Sequence, residues 1–259
     1  MNHRLTVLGG TGFLGKHICK TAIQKGWKVT SLSRKGKPEY AEHNPGVSEW
    51  LKRVNWCKGD LKDELLIKDH IKNSSAVIYS VGILLESQYK HLLSSTNSLF
   101  LTFQPSQDEN LSYDKLNRDF AIQVANEVSK MNMNMPFVYV SAADAFPGIP
   151  KRYIESKREA EDYIYSLPNI RPIIIRPGFM YSKERPISMP LACIINMISN
   201  VNELFYERIP FIGAAGVKPL KVETVANAII QSIYDETFKG IASIQHIEKL
   251  ATDSQKTYL

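Results

Sequence analysis

The chain has 259 residues, a formal net charge of +6 and an isoelectric point near 9.0. Hydrophobic residues make up 44% of the chain and charged residues 22%, which is typical of a globular protein and argues against a fibre or a disordered chain. The longest apolar run, 76–85, is far shorter than the ~20 residues that a membrane-spanning helix needs. We therefore expect one folded domain, or one domain with a smaller appendage.

The cysteines, histidines and basic residues indicate the redox compartment, the chance of a metal site and the kind of partner. Cys19, Cys57 and Cys193 are scattered and form no Cys-x-x-Cys pair, which favours reduced thiols in an intracellular protein. The histidines form no His-x-x-x-His or Cys/His cluster, so we expect no metal site. Spread-out Lys and Arg residues are typical of a solvated surface, and attraction to anionic phospholipid or an acidic partner is the second interpretation. No nucleic-acid motif, signal peptide or mitochondrial presequence is visible.

A glycine-rich turn links the first predicted strand to the first predicted helix. A glycine at its start can make a tight bend, Gly12 lets the backbone approach a pyrophosphate, and Gly15 lets the helix pack close to the strand. Backbone N–H groups and the positive end of the helix dipole then favour phosphates, although an ordinary turn without a ligand is the alternative. The predicted cofactor-binding residues here are Gly9, Gly10, Thr11, Gly12, Phe13, Leu14 and Gly15.

The second predicted strand, 27–32, ends at a basic cluster. Ser33, Arg34 and Lys35 stand where an acidic residue would bind the 2′-hydroxyl of NAD. An arginine at this point accommodates a 2′-phosphate instead. We therefore predict that these three residues bind NADP, with NAD as the alternative cofactor; a solvated basic loop is the alternative without a ligand.

The third and fourth predicted strands add further cofactor contacts. Asp60 and Leu61 follow the third strand, 54–57, and Asp60 either hydrogen-bonds the adenine amino group or serves as the N-cap of the next helix. Ser80 and Gly82 follow the fourth strand, whose continuous apolar run is typical of a parallel sheet covered on both faces. A side chain at Gly82 would obstruct the cofactor. We predict all four as cofactor-binding residues.

A tyrosine and a lysine follow the fifth predicted strand, 137–140. Ser141 stands at the carboxyl end of that strand, where open α/β sheets bind ligands. Tyr153 and Lys157 lie four residues apart in the next helix, so they share one face and can address one ligand together. Pro177 lies in a turn beside this site, after the sixth strand, and we predict it and Lys157 as further cofactor-binding residues. Alternating strands and helices predict an α/β fold with a doubly wound, Rossmann-like parallel sheet.

We divide the chain into an NAD(P)-binding core, 1–180, and a smaller C-terminal substrate or lid region, 181–259. A long apolar stripe at helical spacing, between 191 and 205, is typical of a core, or alternatively of a hydrophobic substrate tunnel or a membrane-facing lid. The segment 83–111 shows little periodicity and is either a surface insertion or part of a substrate cover. Asn117, in the helix that follows, would need hydrogen-bond partners if buried.

The glycine turn, the Tyr-x-x-x-Lys pair and the Arg-Pro-Gly turn at 176–178 resemble the extended or atypical branch of the short-chain dehydrogenase/reductase superfamily over nearly the whole chain. The runs 80–86, 153–161 and 171–179 are similar to fungal mitochondrial dehydrogenase-like proteins of coenzyme Q biosynthesis. The dehydrogenase-like accessory subunit of respiratory complex I is a more distant resemblance. The resemblance implies a mitochondrial protein on the matrix side of the inner membrane, with coenzyme Q biosynthesis proteins as partners and a role in ubiquinone biosynthesis.

The resemblance also implies roles for site residues. In active family members a Tyr is the general acid/base, a Lys lowers the Tyr pKa and holds the nicotinamide ribose, and a Ser or Thr orients the substrate carbonyl. Tyr153 and Lys157 match the first two roles. Alignment places Ala142 rather than Ser141 at the third position, and a one-residue offset turns a side chain to the other face of a strand. Ser141 could serve if the turn differs, and Asp144 is a weaker substitute.

Two functions follow from this pattern. The first is an NADPH-dependent reductase or dehydrogenase that acts on a quinone precursor or another hydrophobic carbonyl compound. The second is an NAD(P)-bound assembly or regulatory subunit of a membrane-associated biosynthetic complex. With Ala142 at the third position, the catalytic triad of Tyr, Lys and Ser or Thr is incomplete. An incomplete triad fits a slow enzyme or a protein that uses the nucleotide structurally. The resemblance favours the second function.

Overall fold

The computed structural model describes residues 3–38, 49–82, 113–131, 133–145, 150–184, 188–204 and 216–256. Its strands are β1 (Arg4–Leu8), β2 (Lys28–Ser33), β3 (Asn55–Lys58), β4 (Ala76–Tyr79), β5 (Met135–Val140), β6 (Ile170–Ile175), β7 (Met180–Tyr181), β8 (Leu220–Lys221) and β9 (Gly240–Ala242). Its helices are α1 (Phe13–Gln24), α2 (Glu49–Arg53), α3 (Glu64–Ile71), α4 (Phe120–Ser129), α5 (Lys151–Ser166), α6 (Ser188–Leu204), α7 (Val222–Tyr234) and α8 (Ile244–Lys256). A π-helical segment, Asp114–Asp119, precedes α4.

Seven parallel strands form the main sheet in the order β3-β2-β1-β4-β5-β6-β9, and β7 pairs with β8 in a second, two-stranded sheet. The strand order reverses between β1 and β4, which creates the crevice where doubly wound sheets bind ligands. The predicted Rossmann-like fold class is therefore confirmed. The division at residue 180 stays a prediction, although β9 pairs with β6 and so adds part of the 181–259 region to the main sheet.

Apolar side chains cover both faces of the main sheet. One buried cluster joins the sheet to α1, α7 and α8, and the other joins it to α3, α4 and α5. Alternation along β1 sends Leu5 and Val7 to the first cluster and Leu8 to the second. Every residue of β4 is buried, as its continuous apolar run predicts, and every residue of β6 is buried as well. Removal of this surface from water is the main favourable contribution to the fold.

The C-terminal apolar stripe is described only in part. Ile195 and Ala192 of α6 are buried against Phe179, which is consistent with the predicted core role. The side chains at 191, 194, 198, 201 and 204, residue 205 and the segment 83–111 lie outside the described residues. Within the described part of the chain, no helix combines the length and apolarity that a bilayer crossing needs.

Two tyrosines stabilise the π-helical start of the fourth helical element. The Tyr79 hydroxyl of β4 donates to the carbonyl of Leu116 at 2.7 Å, and the Tyr139 hydroxyl of β5 donates to the carbonyl of Asn117 at 2.5 Å. These side chains therefore add hydrogen bonds to carbonyls in a segment where the regular α-helical pattern is interrupted. The sequence predicted a helix here but not its irregular first turns, because the partners come from strands far away in the chain.

A buried arginine at the start of β6 closes the C-terminal end of α7. Nη1 of Arg171 donates to the carbonyls of Ser232, Asp235 and Phe238 at 3.1, 2.8 and 2.9 Å. Nη2 donates to the carbonyl of Ile233 at 2.7 Å. The last carbonyls of a helix have no partner within the helix, so Arg171 satisfies them and ties β6 to the turn that leads into β9.

We expect Arg171→Met to destabilise the fold, because the substitution leaves these four carbonyls without their donor. Loss of buried, charge-assisted hydrogen bonds should lower the free energy of unfolding by about 2–4 kcal/mol. Thermal unfolding followed by circular dichroism should show a Tm lower by roughly 5–15 °C. Lys52→Met, at an exposed ion pair with Glu49, is the control and should change Tm little. Equal Tm values for both variants would contradict the role of Arg171.

Candidate dinucleotide-binding site

The glycine turn is packed tightly on one side and open on the other. Gly9 has a φ of +87°, a conformation that favours glycine. A β-carbon on Gly15 would lie 2.1 Å from the carbonyl oxygen of Gly9, and one on Gly10 would lie 2.2 Å from Oγ of Ser31. A β-carbon on Gly12 would meet one atom, the same Gly9 oxygen at 3.1 Å. Gly12 therefore marks the accessible side of the turn.

The start of α1 presents an electropositive end to this accessible side. Among the described side chains none caps the helix at Gly12, and the first turn of α1 contains no acidic residue. The positive end of the helix dipole is thus left for an anion. Leu14 is buried in the core and Phe13 packs against that core, so their side chains fix the helix while the backbone faces the turn. The geometry fits a diphosphate.

The basic cluster after β2 keeps its two cations at the surface. The Ser33 hydroxyl donates to the carbonyl of Gly36 at 3.1 Å and so closes a local turn. Arg34 and Lys35 are exposed beside that turn. The carboxyl end of β2 lies next to that of β3, where Ser33 is in register with Lys58. The corner is therefore basic and suited to a phosphate group, and the assignment of all three predicted residues to NADP stays a prediction.

Asp60 does not begin a helix. The N-cap of α3 is Asp63, whose carboxylate accepts a hydrogen bond from the Leu66 backbone at 2.9 Å, so the N-cap alternative for Asp60 is wrong. Asp60 accepts from the Lys62 backbone at 3.0 Å and stays exposed at the carboxyl end of β3. Leu61 is buried in the core. The adenine contact of Asp60 remains a prediction that this exposure allows.

The end of β4 connects the glycine turn to the lysine. The carbonyl oxygen of Ser80 lies 3.0 Å from the position of a β-carbon on Gly9. Two residues later, a β-carbon on Gly82 would lie 3.4 Å from Oδ1 of Asn117 and 3.6 Å from Nζ of Lys157. The predicted cofactor residues Ser80 and Gly82 therefore lie between the two halves of the candidate site. Asn117 belongs to this site, although sequence reasoning recognised only its need for partners.

Tyr153 and Lys157 are neighbours in a dry environment, and each is 4% exposed. The Lys157 ammonium donates to the carbonyl of Val140 at 3.0 Å and lies 5.2 and 5.7 Å from the ring centroids of Tyr139 and Tyr153. Burial lowers the pKa of Lys157 to about 7, and the charge of Glu161 partly opposes that effect. Burial also raises the pKa of Tyr153. The structure therefore brings the predicted pair together.

These pKa directions differ from the family expectation that a lysine lowers the pKa of its tyrosine. For Tyr153, burial outweighs the neighbouring positive charge of Arg158. A general base works best when its pKa is near the operating pH, so a tyrosine with a raised pKa is not poised to accept a proton. Without a ligand, burial therefore favours the protonated form of Tyr153.

Ser141, the candidate for the third position of the triad, is engaged in hydrogen bonds with other side chains. The buried Ser141 hydroxyl donates to the carboxylate of Glu161 and accepts from Nη1 of Arg158 at 3.3 Å. As a substrate-orienting group, Ser141 would first have to leave these partners, which argues against its doubtful assignment. Ala142 has no hydroxyl to offer, and the Asp144 carboxylate accepts from the backbone of Ala145 at 2.7 Å.

Pro177 closes the site at the ends of β5 and β6. Its carbonyl accepts a hydrogen bond from the backbone of Ala143 at 2.8 Å, and the residue is buried. Among the described residues, no group of three or more His, Cys, Asp or Glu side chains is arranged to hold a metal ion.

We expect Lys157→Met to stabilise the protein at neutral pH. The unfolded chain holds the Lys157 proton up to about pH 10.5 and the folded chain releases it near pH 7, so stability rises with pH across that window. At or below pH 7 the variant should gain roughly 2–6 °C in Tm, and the gain should shrink toward pH 10. The measurement is Tm against pH, with the exposed Lys72→Met as control. A gain independent of pH would contradict the low pKa.

Comparison with known proteins agrees with this geometry. A model of the NAD dependent epimerase/dehydratase family matches residues 5–90. MIOREX complex component 2 of Saccharomyces cerevisiae is 32% identical over an alignment 276 positions long. The alignment covers 95% of this chain and 99% of the yeast protein. The mitochondrial NADH dehydrogenase (ubiquinone) 1 alpha subcomplex subunit 9 of Arabidopsis thaliana is 25% identical over 89% of this chain, which spans 50% of that protein.

A solved structure shows the same fold. MoeE5 in complex with UDP-glucuronic acid and NAD superposes with a TM-score of 0.58 at 14% identity, over 92% of this chain and 74% of MoeE5. The likeness is one of fold at this level of identity. The match to the yeast protein over nearly its full length, together with the family model at the glycine turn, shows that the chain belongs to the NAD dependent epimerase/dehydratase family of the short-chain dehydrogenase/reductase superfamily.

Proposed function

We propose that the chain is an NAD(P)-binding subunit of a mitochondrial complex that supports ubiquinone biosynthesis. The observation that carries the nucleotide part is the glycine turn, which is closed by packing at Gly10 and Gly15 and accessible at Gly12. This turn lies at the uncapped start of α1 and beside the point where the strand order reverses. The family is named for its NAD dependence, which supports the same conclusion.

Several observations favour a binding role over a catalytic one. Burial raises the pKa of Tyr153, and Ser141 is held by Glu161 and Arg158. Tyr153 is therefore not poised to act as a base, and Ser141 is not free to orient a substrate carbonyl. Nucleotide binding by the glycine turn requires neither of these two groups. A bound nucleotide would order this edge of the sheet and so stabilise a surface that partner proteins recognise.

The cellular setting is supported by relatives and by resemblance. The yeast relative is named as a component of the MIOREX complex, and the Arabidopsis relative as a mitochondrial subunit of NADH dehydrogenase. These names support a mitochondrial complex as the setting of this chain. The role in ubiquinone biosynthesis, with coenzyme Q biosynthesis proteins as partners, rests on the resemblance of the three runs. Peripheral association with the matrix side of the inner membrane and a hydrophobic small-molecule ligand belong to the same proposal.

A catalytic function is the second candidate. Asn117 and Lys157 converge on Gly82, with the buried Tyr153 ring beside the ammonium group. NADPH, when bound, would supply a hydride. Tyr153 would then give a proton to the carbonyl oxygen of a quinone precursor or another hydrophobic substrate, and Lys157 would hold the ribose. The protonated state of Tyr153 suits a proton donor better than a base.

Two variants separate the binding role from the catalytic role. Gly12→Val places a branched side chain on the accessible side of the turn, so NADPH affinity should fall at least about tenfold, equal to 1.4 kcal/mol. In cells the variant should reduce recovery of the complex and the ubiquinone content. Tyr153→Phe removes only a hydroxyl and should leave both unchanged. Affinity is measured by calorimetry, and an unchanged Tm of Gly12→Val without ligand is the folding control.

The opposite ranking would exclude the binding role. If Tyr153→Phe and Gly12→Val both lower the ubiquinone content, the protein acts as an NADPH-dependent enzyme. If only Tyr153→Phe lowers it, neither the binding role nor the NADPH-dependent catalytic role holds. NADPH binding to purified wild-type protein is the first measurement, because its absence would remove the nucleotide part of the proposal altogether.

We further propose that Arg34 and Lys35 give NADP preference. Replacing both by Gln should weaken NADPH binding by roughly ten- to a hundredfold, because each charge-assisted contact to the 2′-phosphate contributes about 1.5–3 kcal/mol less its cost of ordering. NADH affinity should change less than about threefold, since NADH has no 2′-phosphate. The double variant Lys52→Gln/Lys72→Gln removes two exposed positive charges elsewhere and is the charge-matched control. Equal losses for NADPH and NADH would contradict the preference.

A further inference from the structure

A cavity lies at the amino-terminal edge of the main sheet, opposite to the edge that carries the glycine turn. It is lined by residues at the starts of β1, β2 and β3 and near the ends of α1, α2 and α3. Its volume of about 680 Å³ falls within the range of roughly 300–1,000 Å³ that is typical of small-molecule sites. The predicted cofactor-binding residues, all of them described by the structure, lie elsewhere. The cavity is therefore a candidate site separate from the dinucleotide site.

Three cations line this cavity together. Arg4 and Lys28 are in register on the adjacent strands β1 and β2. Leu8 and Leu32, which follow at an even spacing on the same strands, belong to the buried cluster that joins the sheet to α3. Alternation along a strand therefore places both cations on the face that α3 covers. Arg53, at the end of α2, lines the same cavity, and all three cationic residues are exposed.

The positive charge of the cavity is not balanced by the residues that the structure describes. Neighbouring strands lie about 4.8 Å apart, so the in-register charges of Arg4 and Lys28 repel each other. Within the described part of the chain, none of the three cations forms an ion pair. Asp69 is the one described carboxylate that lines the cavity, and its charge is paired with Lys72. An anion placed among the three cations would relieve their repulsion.

Neutral polar groups form much of the remaining wall. Thr30 and Asn55 are in register on β2 and β3, and Asn73 follows the end of α3. Their hydroxyl and amide groups can donate to phosphate oxygens and can also bind hydroxyl groups of a ligand. The hydroxyls of Thr6 and Ser74 bond to each other at 2.7 Å and close the buried end of this wall. A cavity with three cations and several neutral hydrogen-bonding groups suits a polar anion rather than an apolar ligand.

Compensation of a helix end is the alternative role for these cations, because α3 ends beside the cavity and positive charge stabilises the C-terminus of a helix. The last turn of α3 contains basic residues of its own, Lys68 and His70. Its last carbonyls also have donors, since the Ile71 carbonyl accepts from the Ser74 backbone at 2.9 Å and the His70 carbonyl accepts from the Thr6 hydroxyl at 3.1 Å. The three cations lie outside that turn, to which the dipole effect is confined. Their repulsion therefore favours an anion as the missing partner.

We propose that this cavity binds a phosphate ester, whose phosphate group lies among Arg4, Lys28 and Arg53. Each guanidinium presents parallel N–H donors that fit phosphate oxygens, and the ammonium group adds a compact charge. Asn55 and Asn73 then contact the hydroxylated remainder of the ligand. A free phosphate ester and the glycerophosphate headgroup of an anionic phospholipid share this chemistry. The inference goes beyond the proposed function, because no part of it depends on nucleotide binding.

The test titrates the full-length protein with glycerol 3-phosphate and follows the backbone amides by ¹H–¹⁵N NMR. Saturable shifts should appear at the starts of β2 and β3. In Arg4→Gln/Lys28→Gln the affinity should fall at least about tenfold, because two charge-assisted contacts are lost. Lys130→Gln/Lys218→Gln removes two exposed, ion-paired charges elsewhere on the chain and is the charge-matched control, with the affinity of the wild type. Shifts confined to the glycine turn, or equal affinities of the two double variants, would overturn the proposal.

A variant with the opposite expected effect guards against a loss of binding through misfolding. Asp69→Asn removes the one described carboxylate of the cavity and releases Lys72 from its ion pair, so the affinity for glycerol 3-phosphate should rise at least about twofold. Arg53→Gln should lower the affinity at least about threefold. An unchanged Tm without ligand is the folding control for each variant. If Asp69→Asn binds no more tightly than the wild type, the cavity is not the anion site.

Two arms of the experiment distinguish the sources of the ligand. Cosedimentation with vesicles of phosphatidylcholine, with and without phosphatidylglycerol, tests for a membrane headgroup. Retention on phosphatidylglycerol vesicles that is lost in Arg4→Gln/Lys28→Gln and kept in the control supports a headgroup, whereas binding of glycerol 3-phosphate without such retention supports a soluble ester. Absence of both overturns the proposal. NADPH affinity should be equal in the wild type and in Arg4→Gln/Lys28→Gln, so the nucleotide function and the cavity site can fail separately.

Discussion

The close contact between the glycine turn and its surroundings is the constraint on which the site depends. Gly15 lies against the carbonyl of Gly9, and Gly10 lies against Ser31 of the neighbouring strand, at distances that exclude any β-carbon. This packing fixes the direction of α1 relative to β1, and with it the helix dipole that faces the accessible Gly12. The sheet supports this arrangement because β4 places Ser80 directly beside the turn. The accessible side of the turn is therefore formed by backbone atoms.

The second half of the site is built from buried charge. Lys157 and Tyr153 lie in an apolar environment that disfavours their ionised forms, so the folded chain carries a free-energy cost at this point. Ser141, Arg158 and Arg176 donate hydrogen bonds to the Glu161 carboxylate and so tie α5 to the ends of β5 and β6. The two halves meet at Gly82, where a side chain would contact Lys157.

Arg171 and Arg158 show how the fold uses guanidinium groups away from the phosphate corner. Each donates to backbone carbonyls at the end of an element, Arg171 at the C-terminus of α7 and Arg158 after β5. A planar group with five donors suits this task, because it can donate to several converging carbonyls at once. The excess of basic residues is thus partly structural, which limits how much the net charge says about partners.

The sequence by itself determined the alternating strands and helices, the glycine turn and the spacing of Tyr153 and Lys157, because these depend on local periodicity and on residues close together in the chain. It placed Ser141 and Asp60 at strand ends but could not assign their partners. Only the tertiary structure engaged Ser141 with Glu161, gave the α3 cap to Asp63 and brought Asn117 beside Lys157. Those outcomes depend on which elements meet across the sheet, and long-range packing decides them.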